Sequence, residues 1–188
     1  MLESYVKRSF KFEYKATIGA DFLTKKVDVK GETISANIWD TAGQEKMGAL
    51  NKQFYRGSDG CAIVFDLCDK ASFNDVEKWV DAFLLHSASR VRSVQEVPYI
   101  LIGNKSDLLD KIEVTSTMAK GIVKLNGFLQ YFETSAKDLK GVDEAFNYII
   151  AKAVETMPNT SPTITSSIIS LSEHKQEEET TPPPKKCC

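Results

Sequence analysis

"ANIWDTAGQEK", Ala36 to Lys46, is the stretch on which the reading of this chain turns. It opens as a strand and breaks off at Asp40. Thr41, Ala42, Gly43, Gln44 and Glu45 follow without any hydrophobic period. A buried strand that delivers a carboxylate, a glycine and an amide to its own end is placing polar groups at a sheet edge.

The segments around it repeat that design. Leu2 to about Phe10 reads as a short helix and Lys11 to Gly19 as a loop. Phe22 to Val29 and Thr33 to Trp39 are strands joined by a turn at Lys30-Gly31, which predicts an antiparallel hairpin. An irregular stretch runs to about Leu50, and a short helix ends at Tyr55. "CAIVF", Cys61 to Phe65, and "YILI", Tyr99 to Ile102, are continuous apolar runs, the mark of strands buried on both faces. Ser72 to about Ser87 is helical, with Ser72 and Asp75 at the spacing of a capping box. Glu113 to Asn126 is a further helix and Leu129 to Glu133 a further strand. Val142 to Met157 carries one apolar stripe: Val142, Ala145, Phe146, Ile149, Ile150, Ala153 and Val154. Buried strands alternating with helices predict an α/β domain, a mostly parallel sheet with helices on both faces. The domain spans 1–157. Residues 158–188 turn to Ser, Thr, Pro and Glu and predict a disordered tail.

Composition bounds the function. The 188 residues suffice for one well-buried domain with some chain left over. A formal charge of −2 argues against a nucleic-acid binder. No apolar run has the length of a membrane span. The N-terminus, "MLESYVKRSFKF", lacks the apolar core of a signal peptide. Cys61 and Cys68 lie in or just after an apolar run, and Cys187 and Cys188 close the chain; this is neither a disulfide framework nor a metal spacing. Cys61 reads as a small core residue, Trp79 as helix packing, His86 as surface.

In sheets of this kind ligands bind at the carboxyl ends of the strands. Three strand ends carry unusual residues: Asp40, Gly43 and Gln44; "GNKSD", Gly103 to Asp107; and "TSAK", Thr134 to Lys137. Alone, each reduces to a polar turn or a turn glycine. Together and in this order they resemble the guanine-nucleotide motifs of the Ras-like small GTPases. "WDTAGQE" resembles the second switch, N-K-x-D at Asn104 to Asp107 the base-reading motif, and "SAK" its partner loop. "ATIGADF", Ala16 to Phe22, resembles the first switch of the Rab subfamily, as does "FYRGS", Phe54 to Ser58. "YKATIGADFLTK" and "YFETSAK" are most similar to its late-endosomal and lysosomal branch. The resemblance covers Leu2 to about Met157.

What it implies has physical grounds residue by residue. A carboxylate accepts hydrogen bonds in pairs, so Asp107 receives the N1–H and 2-amino group of guanine; adenine offers neither. Asn104 holds the purine edge, the methylene stem of Lys105 lies along the base, and the Ala136 N–H meets the 6-oxo group between Ser135 and Lys137. Phe10 and Tyr14 are nucleotide-side aromatics. Thr17 and Asp40 bind Mg²⁺, which keeps several waters. Gly43 lets its N–H approach the γ-phosphate, and Gln44 orients the attacking water. The cofactors implied are GTP or GDP with Mg²⁺. The partners implied are effectors, an exchange factor and a GTPase-activating protein at the switches. Phe22, Trp39 and Tyr55 are expected on the effector surface.

The family also has a first strand and a phosphate loop, G-x-x-x-x-G-K-[ST], and this sequence contains neither. In the family that strand is central, between the strands ending here at Trp39 and Phe65. About five buried apolar side chains at ~1.5–3 kcal/mol each amount to roughly 10 kcal/mol, against ~5–15 kcal/mol for a whole domain. The expectation is an open gap beside "NIW" and "AIVF". The favoured explanation is an incomplete gene model; a genuine short product that binds nucleotide weakly is the alternative.

"KKCC" is not a C-a-a-X box and resembles the paired cysteines on which Rab proteins receive two geranylgeranyl groups. Two chains anchor stably where one is marginal. This implies a prenylation escort, a GDP-dissociation inhibitor and the cytoplasmic face of endomembranes (late endosome, lysosome, vacuole or phagosome), in exchange with the cytosol. Ile164, Ile168, Ile169 and Leu171 interrupt the polar tail. The reading is a GTP-hydrolysing switch of vesicle traffic; the alternatives are a non-catalytic interaction module and, more weakly, a different nucleotide enzyme.

Overall fold

The computed structural model describes residues 1–12, 17–43, 54–87, 97–157 and, as backbone, 165–171. Helices are α1 (Leu2–Lys7), α2 (Lys70–Asn74), α3 (Val76–Ser87), α4 (Ser116–Asn126) and α5 (Val142–Thr156). Strands are β1 (Ala20–Val29), β2 (Glu32–Thr41), β3 (Gly60–Asp66), β4 (Tyr99–Asn104), β5 (Tyr131–Glu133) and β6 (Thr165–Leu171). They form one sheet in the order β1-β2-β6-β3-β4-β5. Only β1 and β2 pair antiparallel; the remaining pairs are parallel.

The hairpin forms as its sequence predicts. Lys30 and Gly31 both have positive φ, 56° and 87°, the conformation of a two-residue turn that matches strand twist. The Asp28 carboxylate accepts the Gly31 N–H at 3.2 Å and holds the turn. β2 runs two residues past Trp39, so Asp40 and Thr41 still pair, with Asp21 and Ala20.

Successive residues of β3 and β4 feed two cores, one on each face. Ala62, Val64, Ile100 and Ile102 join Leu2, Tyr5, Phe146, Ile149 and Ile150 of α1 and α5. Cys61, Ile63, Phe65 and Leu101 join Val76, Val80, Phe83 and Ala119 of α3 and α4. The Tyr5 ring stacks on Phe146 at 4.5 Å, and its hydroxyl donates to Asn147 Oδ1 at 2.7 Å. Arg8 and Lys25 both reach the Asp143 carboxylate, fastening α1 and β1 to the start of α5. Burial drives the Cys61 thiol far above its usual range, as expected of a core cysteine.

Two helix starts depart from the sequence reading. The cap of α2 is Asp69, whose Oδ1 accepts the N–H groups of Ala71 and Ser72. Ser72 is buried; its hydroxyl accepts the Asp66 N–H and donates to the Asp69 carbonyl, so no box with Asp75 forms. The cap of α4 is Thr115 rather than Glu113. Glu113 instead accepts the Lys70 N–H at 3.1 Å, bracing α2 from across the sheet end.

The larger difference lies in the tail. The polar composition after Met157 predicts no regular structure, and the family's sheet predicts a gap between β2 and β3. β6 stands in that position. It pairs in parallel with Ser35–Thr41 of β2 over its whole length and with Gly60–Ile63 of β3. Thr165 to Leu171 carries no charge and contains three β-branched residues among its serines, which suits a strand. The unpaired amides of β2 and β3 supply the reason for it to dock.

Candidate functional site

The carboxyl ends of β2, β3, β4 and β5 bring the singled-out residues to one end of the sheet. The most tightly built part joins the loop after β4 to the loop after β5. Asn104 ends β4 and is buried. Its Oδ1 accepts the Thr134 hydroxyl at 3.2 Å and the Ala136 N–H at 3.1 Å. The Ser135 hydroxyl donates to Asp107 Oδ1 at 2.7 Å and accepts the Asp138 N–H at 3.0 Å. The Ser106 N–H adds a backbone bond to the Thr134 carbonyl at 3.0 Å. Lys137 Nζ stands 3.9 Å from Asp107 Oδ2. Bonds thus link Asn104 to Ala136, and Asp107 to Ser135 and Lys137, across two loops, with Lys105 lying between Asn104 and Asp107 in the first.

Local backbone explains the fit. Lys105 sits in the left-handed region at φ 68°, which turns the chain sharply out of β4. Gly103 precedes that turn, and a Cβ there would meet Tyr131 Oη at 2.7 Å and Leu67 Cδ2 at 2.9 Å. Gly141, φ 69°, closes the second loop and begins α5; a Cβ there would lie 2.5 Å from the Glu133 carbonyl oxygen.

The sequence reading missed a member. Asp66, the last residue of β3, is buried and bonds Lys105 Nζ through Oδ2. Its Oδ1 accepts the Cys68 N–H at 2.8 Å. The pair fixes the lysine stem across the site. A carboxylate directly after an apolar run, as Asp40 follows Ile38 and Trp39, was the available signal.

A second group lies at the end of β2. Thr17, half-buried, leads into β1, and Asp40 and Gly43 sit at and just beyond the end of β2. The Ala42 N–H donates to the Gly19 carbonyl at 2.8 Å, so the segments carrying Thr17 and Gly43 are tied together. Thr17 and Asp40 offer a hydroxyl and a carboxylate. These hard oxygen donors fit Mg²⁺, which takes few protein ligands and fills its shell with water and phosphate oxygens.

Phe10 is 41% exposed, and its ring meets Phe12 edge-on at 5.3 Å. Trp39 stands between Phe22 at 4.7 Å and Phe54 at 5.0 Å, an aromatic row that includes the exposed Phe22. Tyr55 does not join that row. It is buried against Phe83, and Phe54 takes the place expected for it. Tyr14, Gln44, Cys187 and Cys188 lie outside the described residues.

The family model described as Ras family matches residues 1–155. The Ypt/Rab-type GTPase ypt7 of Schizosaccharomyces pombe is 41% identical over 158 residues, covering 84% of this chain and 76% of that protein. YPT7 of Saccharomyces cerevisiae is 40% identical over 157 residues, 82% and 74% of the two chains. Ras-related protein Rab-7a of Paramecium octaurelia is 34% identical over 176 residues, 94% and 84%.

Proposed function

The chain belongs to the Ras family and is a Rab-type GTPase of the late-endosomal branch, a guanine-nucleotide switch of vesicle traffic, and on that premise we propose which of its residues do the work. Asp107 reads the guanine N1–H and 2-amino group, and Ser135 holds that carboxylate in place. Asn104 binds the purine edge while gripping Thr134 and Ala136. Lys105, steadied by Asp66, lays its stem along the base. The bonds from Asn104 to Thr134 and Ala136, and from Asp107 to Ser135, are the observation that carries this reading. A polar edge already built from two loops loses little freedom when a base arrives.

Thr17 and Asp40 hold Mg²⁺, which when bound neutralises charge on the phosphate oxygens. Gly43 approaches the γ-phosphate through its N–H, and Gln44 orients the water. Positioning and electrostatics account for most catalysis of phosphoryl transfer. The Gly19–Ala42 bond supports a joint response of the two switch segments to the phosphate. Effectors, an exchange factor and a GTPase-activating protein act there, with Phe22, Trp39 and Phe54 as the apolar part of the surface. Residues 1–157 are the GTPase domain. Residues 158–188 carry the lipid anchor at Cys187 and Cys188, handled by a prenylation escort and a GDP-dissociation inhibitor. The protein works on the cytoplasmic face of late endosomal or vacuolar membranes and returns through the cytosol.

Asp107→Asn tests the base site. An amide there donates to the 2-oxo group of xanthine and loses one acceptor for guanine. Competition titrations should show preference moving from GTP toward XTP by at least about tenfold, on the scale of one lost charge-assisted bond. Unchanged GTP preference would remove the assignment.

A further inference from the structure

The two groups of site residues share a charged junction that lies outside both. Asp143 is in the first turn of α5, directly after the corner at Gly141 and Val142. Gly141 closes the loop after β5, in which the Ser135 N–H donates to the Lys140 carbonyl at 2.9 Å and the Lys140 N–H to the Ser135 carbonyl at 3.1 Å. The stretch from Ser135 to Asp143 is therefore short and internally bonded, so a shift of the helix start shifts the loop.

The Asp143 carboxylate takes its cations from distant parts of the chain. Arg8, which follows α1 in the left-handed region at φ 55°, bonds Oδ2. Lys25 of β1 reaches Oδ1 at 3.4 Å. The Lys25 ammonium also donates to the Tyr5 carbonyl at 2.7 Å and stands 3.5 Å from the centre of the Tyr5 ring. The last carbonyls of a helix have no helical partner, so Lys25 caps α1 while it holds α5. Its side chain is only 23% exposed. Burial holds the ammonium below its ordinary pKa, opposed in part by the Asp143 carboxylate. Charges withdrawn this far from water attract more strongly than a surface pair. β1 carries the tie onward: Lys25 pairs with Ala36, Asp21 with Asp40, and the Gly19 carbonyl accepts the Ala42 N–H close to Thr17.

We propose that Asp143 is a positioning residue of the guanine site: held between Arg8 and Lys25, it fixes the start of α5 and with it the loop that carries Ser135 and Ala136. It acts through Ser135, whose hydroxyl orients Asp107. An acidic first turn also suits the helix dipole, and Glu144, exposed on the same turn, serves that purpose as well. The difference between the two residues therefore isolates the junction with Arg8 and Lys25. The consequence for guanine rests on the reading of Asp107 as the base acceptor; the hold on the loop does not.

The test uses the full chain with Asp143→Asn, which keeps the size of the side chain and removes its charge. Amide exchange is read by NMR without nucleotide, and affinities are then measured for GDP and for inosine diphosphate, which lacks the 2-amino group. Exchange of the Ser135, Ala136, Asp138 and Lys140 amides should quicken about two- to fivefold, the scale of a partly exposed ion pair, with β3 and β4 unaffected. The ratio of GDP to inosine diphosphate affinity should fall by a similar factor. Lys25→Met keeps the stem beside Tyr5 and should do the same, which supplies the reading if Asp143→Asn does not fold. The two changes together should fall short of the product of their separate effects. Glu144→Gln should alter neither measurement. Unchanged exchange in the loop, equal acceleration throughout the sheet, or the same effect from Glu144→Gln would overturn the proposal. So would an unaltered ratio of the two affinities. Absence of saturable GDP binding would instead refute the guanine reading, and the exchange rates would still decide whether Asp143 holds the loop.

Discussion

Gly141 shows how much of the site depends on residues that touch no ligand. Its carbonyl, which accepts the Ala145 N–H at 3.1 Å, and its φ of 69° set the corner between the loop of Ser135 and Ala136 and the helix α5. A methyl group there would press on a backbone carbonyl, which has no rotamer to escape into, and φ 69° is unfavourable for alanine. Gly141→Ala is expected to cost about 1–3 kcal/mol, measured by chemical denaturation. It should also weaken guanine binding, because the loop it anchors carries the Ser135 bond to Asp107. Among the site residues, the base loops were legible because each is written in consecutive letters at a strand end. The Asp66–Lys105 pair was not, because it joins positions 39 apart that only the β3–β4 register brings together.

At the scale of elements, β6 changes what truncation does. A chain ending at Leu171 keeps the central strand, whereas one ending at Met157 leaves β2 and β3 unpaired along facing edges. The shorter truncation should melt within a few degrees of the full chain. The longer one should lose more than about 10 °C in Tm or its cooperative transition altogether, the scale for several kcal/mol in a domain of this size. Circular dichroism on both decides it. Equal melting would show that β6 contributes nothing. The hairpin could be read from Lys30-Gly31, and β3 and β4 from their unbroken apolar runs. β6 was obscured because its isoleucines sit among serines and near prolines, and because a central strand is recognised by the vacancy it fills. The cap at Asp69 was missed for a related reason: Ser72 and Asp75 have the spacing of a box, yet Ser72 is turned inward to Asp66 and Asp69.

The described residues join one sheet end that gathers Asp40, Asp66, Asn104 and Asp107 to a sheet in which Thr165–Leu171 lies between β2 and β3. No helix among the described residues is long and apolar enough to cross a membrane. With a net charge of −2, the chain has little general attraction for anionic lipid. On the proposed anchoring by two lipid chains at Cys187 and Cys188, deleting both should move the protein from the membrane pellet to the supernatant in cell fractionation. Persistence in the pellet would refute prenyl anchoring. Selectivity for guanine over adenine should follow from Asp107 and Asn104, the residues proposed to read the base. The most direct measurement is a titration of the purified chain with radiolabelled GTP and Mg²⁺, with unlabelled GDP and ATP as competitors. Saturable binding displaced by GDP and untouched by equal ATP is the predicted result; displacement by ATP as readily as by GDP, or no saturable binding at all, would contradict a guanine switch built on Asp107.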